Sequence, residues 1–591
     1  MALPARLVQA SVAAHALLAA SAHASIRQGV NCVSVDGAWD AISSACLCAP
    51  CHLCEFSFSK WKCQFTMHDS TDLSDGSKEP ADQPELDANK WFLTESEMTK
   101  SRGGVARNEL ALASHNNTVT TFVATSEFFD SVYTDFLAVK KHDHVWITGW
   151  SFDDVSLKPQ VESDKLNDTL LVAMLQRMVD KRVDLHVLGW NNFFEAEQNM
   201  KAQEMINALQ PLPPQGGAYF VFDDRVPDAT SSHHQKTIAI KREEGIVAYV
   251  GGIDLTWDRW DTITHDASEL RKRTNVQRVE SSKGWMDAHV KIDGPAAKDI
   301  AANFLQRWNA KEKPLQDLLD PLFSFENPEY SPLAPLTRGE PLIERTSGHH
   351  AVQIVRTYSC GSEHFDEFAP HGEVSLFHAR LKAIKMAKNY IYIEDQYLIF
   401  VPQLLDALME VLPRLQRLII LAQRPSSSTR LTGYKKYQFE MFTPLQERFP
   451  NKVQIYATKE SRGVYVHSKF LLIDDVFLTI GSANWNRRSM TADSEVAANI
   501  VDAKSILAPE GIYVNALARD YRIRKFMELI GKSYDELDKL TLLQAANALD
   551  EAAKQPNTLI EQYQVVKDAS FLVYTDGVQG FADPEYECSS P

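Results

Sequence analysis

The sequence predicts an α/β protein made of two similar α/β/α sandwich halves related by a pseudo-twofold, with a small N-terminal cysteine-rich module in front. Three observations predict it. Short apolar strand-like runs alternate with helical periods along both halves of the chain. The halves carry the same ordered set of His, Lys and Gly turn residues. Six of the eight cysteines (Cys32, Cys46, Cys48, Cys51, Cys54 and Cys63) crowd into one short stretch, leaving Cys360 and Cys588 apart.

At 591 residues the chain is too long for one ordinary core and suits two folded halves or one duplicated unit. Lys and Arg number 61 against 78 Asp and Glu, a formal net charge of −17, so no global positive field draws in nucleic acid or anionic membrane. A composition 44% hydrophobic and 24% charged excludes disorder for most of the length.

Residues 1–24 read as a signal peptide. Arg6 is followed by an Ala-, Leu- and Val-rich run over 7–20, interrupted by Gln9 and His15, and then by Ala22-His23-Ala24 as a small-x-small cleavage signature. The run is too short to span a bilayer, which argues against a retained anchor and for a secreted, extracellular protein. In that oxidising setting the cysteine-rich module, residues 25–68, forms three bridges drawn from fifteen pairings. The Cys-Leu-Cys-Ala-Pro-Cys-His-Leu-Cys run also permits a zinc site, the alternative for this module. The tripeptides at Asn116 and Asn167 are glycosylation acceptors compatible with secretion. Residues 69–104, rich in Asp, Ser, Glu and Pro as far as Asp87, read as a solvated linker.

The first half, 105–345, shows an apolar run at 145–149, a helical period over 170–179 and an alternating strand at 183–188, together a β-α-β unit. Strands at 237–240 and 246–250 follow, joined by a polar turn over 241–245. A helix over 296–308 is opened by Pro295, and a Pro-rich stretch over 314–341 marks the midpoint. The second half, 346–540, repeats the grammar with helix 374–388, strand 390–393, helix 402–412, strand 418–422, helix 434–449 and strand 453–456. A hairpin of 470–473 and 477–480 then turns at Asp474-Asp475. Helical periods at 533–554 run into a C-terminal tail, 541–591, whose end has no strong period.

The repeat carries the chemistry. His234-Gln235-Lys236 leads into an apolar strand, a turn, a second strand and Gly251-Gly252-Ile253-Asp254. His467-Ser468-Lys469 leads through the same grammar to Gly481-Ser482-Ala483-Asn484. The distance from His to the first Gly is 17 residues in one copy and 14 in the other, which predicts a turn three residues longer in the first. Side chains at i and i+2 of an extended segment share a face, so each half presents one imidazole beside one ammonium. Two such faces brought together make a pocket suited to a phosphate diester. The lysines stabilise charge on the non-bridging oxygens, one neutral imidazole attacks phosphorus, and a protonated one donates to the leaving oxygen. His289-Val290-Lys291 has the same local pattern without the downstream hairpin and is assigned to structure. Tyr392, Trp146 and Trp150 read as core aromatics.

The pair of motifs resembles the duplicated HKD motifs of the phospholipase D superfamily, over roughly residues 145–500. Gly251-Gly252-Ile253-Asp254-Leu255, Arg259-Trp260-Asp261-Thr262, Trp285-Met286-Asp287, Ile391-Tyr392-Ile393-Glu394-Asp395-Gln396-Tyr397 and Gly481-Ser482-Ala483-Asn484 resemble the eukaryotic, phosphatidylcholine-hydrolysing enzymes more than the small nucleases. The resemblance implies the phospholipase D fold, a covalent phosphohistidine at His234, and His467 as acid and base. It further implies that Lys236 and Lys469 bind phosphate with Asn484 and Asp254. Glu495 would orient His234, and Asp287 would orient His467. Gly251, Gly252, Gly481, Ser482 and Asp474 fall in the structural part of the motifs.

The expected reaction converts a glycerophospholipid, phosphatidylcholine foremost, to phosphatidic acid and a free head-group alcohol, with transfer to primary alcohols. No cofactor or metal is required. The expected partner is phospholipid at a membrane surface, touched peripherally; nucleic acid is not a partner, and the chain is a monomer with an internal pseudo-dimer. The alternatives are a nuclease or other phosphodiesterase of the superfamily and a catalytically silent secreted binding protein. One position departs from the motif: its closing Asp is Asp474 in the second copy but Lys241 in the first, where Glu243 or Glu244 would replace the charge.

Overall fold

The computed structural model describes residues 71–587 apart from 78–79, 108, 191–195, 210–216, 229, 276–281, 315–325, 338–347, 363 and 427–431, together with the backbone of four short strands between 38 and 63. The signal peptide expected at 1–24, the cysteine side chains of the N-terminal module and Cys588 lie outside the described residues.

The first half supplies strands β1 (Ser114–Phe122), β2 (His144–Gly149), β3 (Asp184–Trp190), β4 (Ala218–Asp223), β5 (Thr237–Arg242), β6 (Gly245–Gly251), the short β7 (Gly284–Met286) and β8 (His289–Asp293). The second supplies β9 (His350–Tyr358), β10 (Tyr390–Asp395), β11 (Arg417–Ala422), β12 (Val453–Thr458), the short β13 (Val464–Val466), β14 (Lys469–Ile473), β15 (Phe477–Gly481) and β16 (Glu495–Asp502). A last strand, β17 (Ile560–Gln562), adds an edge. All except β7 and β13 join one 16-stranded sheet, in the order β17-β12-β11-β10-β14-β15-β16-β9-β1-β8-β6-β5-β2-β3-β4, with Glu373–Val374 paired on β9. Read outward from the β9/β1 seam, the halves have the same order of strands. In each the outer three are parallel (β2-β3-β4 and β10-β11-β12) and the inner ones antiparallel.

The sheet is buried on both faces, as strands alternating with helices require. One face of each half has its own core: Phe128, Leu175 and Phe220 in the first, Leu404, Met441 and Leu471 in the second. The opposite face is shared. There α1 (Ala297–Asn309), α2 (Ala516–Ile530) and α3 (Leu542–Ala553) pack Phe304, Phe526 and Leu549 with Trp146, Val250, Tyr392 and Ile500 from both halves. Among the described residues no helix is long and apolar enough to cross a membrane.

Three expectations are corrected. Residues 69–104 are not a free linker: Trp91 is buried and stacks on Phe477 at 5.4 Å, and Asn389 binds the backbone of Asp82 through both its amide oxygen and its amide nitrogen. Residues 541–591 are not a simple tail, since α3 completes the shared core and β17 extends the sheet. The first hairpin does not have the longer turn. Arg242 pairs with Gly245 across a two-residue turn, whereas Ile473 pairs with Phe477 across three residues. The extra length lies in β5 and β6, which are 6 and 7 residues long against 5 and 5 in β14 and β15.

Candidate active site

Both His-x-Lys segments are extended chain leading into the first strand of a hairpin, β5 in one half and β14 in the other. Each lysine folds back on its own motif. Lys236 Nζ donates to the His234 carbonyl at 2.9 Å, and Lys469 Nζ donates to the His467 carbonyl and, at 3.1 Å, to Gln396 Oε1. The shared face inferred from the i, i+2 spacing is thus present in both copies.

Each motif is held by the other half. The His234 amide donates to the Ser494 carbonyl at 3.0 Å, and the Ser494 amide donates to the Ser232 carbonyl at 3.0 Å. In exchange, the His467 amide donates to the Met286 carbonyl at 2.8 Å, next to the parallel ribbon of β7 and β13. The carboxylates cross over in the same way. His234 Nδ1 lies 3.1 Å from Glu495 of the second half, and His467 Nδ1 lies 2.6 Å from Asp287 of the first. A carboxylate on Nδ1 fixes the proton there and leaves Nε2 for chemistry.

The two pairs differ electrostatically. Burial alone would raise Glu495, but His234 and the hydroxyls of Ser482 and Ser489 (the latter 2.7 Å away) hold it below the usual carboxylate value, so it is an anion. Burial pushes Asp287 up against the pull of Lys469. Burial, Lys469, Arg259, Lys236 and His234 push His467 well below 6.5. Burial also lowers Lys236, and brings Lys469 down to about 8.

Asp254 accepts from the Trp150 and Ser151 amides at 2.8 and 3.2 Å and meets Lys236 at 3.4 Å, so it positions a lysine and a loop. Its counterpart Asn484 is buried, and its amide oxygen has no hydrogen-bond partner among the described residues. Gly252 is needed because a Cβ there would lie 2.2 Å from Asp287 Oδ1; at Gly481 it would meet Ala497 at 2.4 Å. His289 is buried under Gly251 and accepts from the Ile253 amide at 3.3 Å, while Lys291 pairs with Asp135 at 2.7 Å, so this third His-x-Lys backs the Gly turn. Trp146 and Tyr392 lie in the shared core, as expected. Trp150 differs: its ring is 5.9 Å from Lys236 Nζ and stacks on Trp190, forming a wall beside that lysine.

Several residues were not assigned from sequence. Trp285 packs on His467 at 4.8 Å, stacks on Tyr465 at 5.1 Å and donates from Nε1 to Asp287, with the Arg259 guanidinium 4.0 Å from its ring. Ser489 and Gln396 complete the carboxylate and lysine contacts. Trp285, Arg259 and Gln396 lie inside segments already noted for resemblance; Ser489, in a short helix after the second Gly turn, has no local signature.

The departure at Lys241 has a structural explanation. Asp474 sits at φ 54° in the hairpin turn and accepts the amides of Lys388, Asn389 and Tyr390 at 2.7–2.8 Å, fastening the turn to the start of β10. In the first half Lys241 instead pairs in register with His144 at the start of β2, and the neighbouring Asp143 accepts the Lys140 amide at 2.7 Å within its own loop. Glu243 and Glu244 are exposed at the turn and do not take over the contact. The motif Asp is a loop fastener in this fold, and its loss leaves His234 and its partners in place.

A pseudo-twofold α/β fold with one His-Lys motif from each half, crossed onto carboxylates of the opposite half, defines a two-histidine phosphodiester site. A family profile described as Phospholipase D matches residues 138–406, and one described as Cardiolipin synthase, PLD-like domain, matches 381–509. The chain belongs to the phospholipase D superfamily. It is 24% identical to phospholipase D alpha 1 of Vigna unguiculata over 489 residues, covering 61% of this chain and 59% of that protein. It is 25% identical to phospholipase D alpha 3 of Arabidopsis thaliana over 527 residues, covering 68% and 62%. The chain thus spans about three-fifths of the length of these relatives. A phosphatidylserine synthase structure from Haemophilus influenzae aligns over 77% of this chain and 93% of its own at 12% identity, TM-score 0.45.

Proposed function

We propose that this protein is a phospholipase D that cleaves the head-group bond of a glycerophospholipid, phosphatidylcholine foremost, at a membrane surface outside the cell. The observation that carries the reading is the crossed pair: two histidines, each with a carboxylate from the opposite half on Nδ1, around two buried lysines. Such a set has a nucleophile, an acid and charge for the phosphate without further parts.

His234 is the nucleophile. Glu495, held ionised, keeps the proton on Nδ1 and stabilises the ring as Nε2 bonds to phosphorus and the bond to the head-group oxygen breaks. His467 gives that oxygen its proton. In the free protein burial, and after it Lys469, Arg259 and Lys236, disfavour the charged ring; an arriving phosphodiester anion offsets the cations and so favours proton uptake by His467. The neutral His467 then takes a proton from water, whose oxygen attacks phosphorus, releases His234 and yields phosphatidic acid. A primary alcohol in place of water gives a phosphatidyl alcohol.

Purified protein incubated with phosphatidylcholine and ethanol should release choline and form phosphatidylethanol, and His234→Ala and His467→Ala should do neither. Absence of both products from every common phospholipid head group would refute the proposal. Turnover of single-stranded DNA in low salt with no lipid product would point to a nuclease instead.

A further inference from the structure

At the far end of β16 from Glu495, about 23 Å along an eight-residue strand, a second group of ligating side chains gathers. His350 opens β9 and pairs in register with Asp502, the last residue of β16. His349 precedes it, and its carbonyl accepts the Ala503 amide at 2.9 Å. His349 Nε2 lies 3.7 Å from Asp502 Oδ1 and His350 Nε2 lies 3.9 Å from Oδ2, with the two imidazole centroids 4.4 Å apart. One ligand atom from each of the three residues falls within 4.8 Å of the others, and among the described residues this is the one His, Cys, Asp or Glu group to do so.

These separations are too long for hydrogen bonds. They lie close to the ~3.4 Å between neighbouring donors on a tetrahedral ion with bonds of about 2.0–2.1 Å. The ligands are also preset. Asp502 accepts the Lys504 amide at 2.8 Å on Oδ1 and the Leu517 amide at 3.1 Å on Oδ2, which fixes the carboxylate while leaving lone pairs on each oxygen. His350 Nδ1 sits 3.0 Å from the Asn117 carbonyl and 3.1 Å from the Val119 amide, so β1 fixes its ring. The Val119 amide donates to Nδ1 in one tautomer; in the other Nδ1 donates to Asn117 and Nε2 is a bare lone pair facing a carboxylate oxygen, the arrangement of a metal-binding imidazole with a carbonyl behind it. His350 and Asp502 are buried, and His349 is 41% exposed at its side chain, which gives an ion a way in and a place for a water ligand.

We propose that His349, His350 and Asp502 bind one divalent transition-metal ion, zinc by its fit to two imidazoles and a carboxylate, as a clamp on the seam between the halves. The seam is sparsely paired. β9 and β1 share two register pairs, His350 with Asn117 and Val352 with Ser114, separated by an irregularity. An ion on His350 and Asp502 ties β1, β9, β16 and the start of α2 into one unit, remote from the catalytic histidines and independent of the reaction proposed for them.

The test uses the full-length, chelator-stripped protein and a cobalt(II) titration followed by visible absorption and by metal content after gel filtration. His349→Gln, at an exposed side chain, is compared with the parent, so that ions held by the cysteines or the catalytic histidines cancel. The parent should retain one more equivalent of cobalt than His349→Gln, with added tetrahedral ligand-field bands, and zinc should raise its thermal midpoint more than that of the variant. Equal uptake and equal thermal shifts in the two proteins, or no uptake by either, would overturn the proposal; that result leaves His349 as a simple ion-pair partner of Asp502. Matching near-UV circular dichroism before metal addition shows that both are folded.

Discussion

Glu495→Gln and Asp287→Asn keep the shape of the two carboxylates and remove their charge, and the site predicts different failures for them. Glu495 accepts from His234 Nδ1 at 3.1 Å and from Ser489 at 2.7 Å, with Ser482 as a third donor. With Gln in its place the amide can donate to Nδ1, which moves the ring proton to Nε2 and removes the nucleophilic lone pair. The ring that becomes cationic on attack also loses its counter-charge. A charge-assisted hydrogen bond and the wrong tautomer together amount to about 3–5 kcal/mol, roughly a hundred- to ten-thousand-fold in rate. Asp287→Asn disturbs His467 by the same logic and should slow phosphatidylcholine cleavage comparably.

The assay that separates them is rapid mixing with p-nitrophenyl phosphocholine, whose phenolate leaves without needing a proton. Asp287→Asn should retain a burst of nitrophenolate within about tenfold of the parent rate, followed by slow turnover, because His467 is still needed to activate water. Glu495→Gln should show no burst. A burst in Glu495→Gln with none in Asp287→Asn would reverse the roles of His234 and His467, and equal bursts would refute the division of labour altogether.

Three further outcomes follow from the charge environment. Because burial brings Lys469 to about 8, its ammonium is lost above that pH, so kcat/KM should fall with an alkaline midpoint near 8. In Lys469→Arg the residual activity should keep no such limb, and a pH profile of both proteins checks this. His265, buried between Asp261 at 2.8 Å and Glu528 at 3.3 Å, is pushed up to about 9. Its contribution, about 3 kcal/mol at most, is fully present below its unfolded value near 6.5 and fades as pH rises through about 9. Thermal unfolding of the parent minus that of His265→Gln should therefore shrink between pH 6.5 and 9.5; a constant difference would contradict it. Asp474→Asn loses a carboxylate that accepts three amides and should lower stability by about 1–3 kcal/mol while kcat stays within about twofold. A large loss of kcat at unchanged stability would give the motif Asp a chemical role.

The parts legible in the sequence are those whose pattern is local. The outer parallel strands β2, β3, β10, β11 and β12 are continuous apolar runs between helices, and both hairpins stand out by their Gly turns. The strands at the seam do not announce themselves. β9 is buried throughout yet holds Gln353 and Arg356, which bond to the backbone of Leu93 and Leu112 and, through the guanidinium Nη atoms, to Glu373 and Gln306, partners 17 to 260 positions away. β16 is Glu-Val-Ala-Ala-Asn-Ile-Val-Asp, with small and polar residues that fit a sheet covered on both faces and erase the period of two. α2 is obscured in the same way: its buried face includes Arg522 paired with Asp475 and Lys525 paired with Glu394 and Glu528, so charge stands where an apolar stripe is expected.

The two His-x-Lys motifs were legible because they occur twice, and their carboxylates through resemblance alone. No spacing connects His234 to Glu495 across 261 positions; only the exchange of segments between halves does. Lys241 was legible as a departure, but the work of its counterpart Asp474, which accepts three amides at the start of β10, was not, because those partners lie some 85 residues upstream.

The most direct test of the account is to locate the covalent intermediate. His467→Ala, mixed with p-nitrophenyl phosphocholine and quenched in alkali to preserve phosphoramidate bonds, should release one equivalent of nitrophenolate and carry one phosphocholine group on the peptide containing His234. The same group on any other residue, or release of nitrophenolate with no bound phosphorus, would contradict a mechanism in which the two halves divide attack and proton transfer between their histidines.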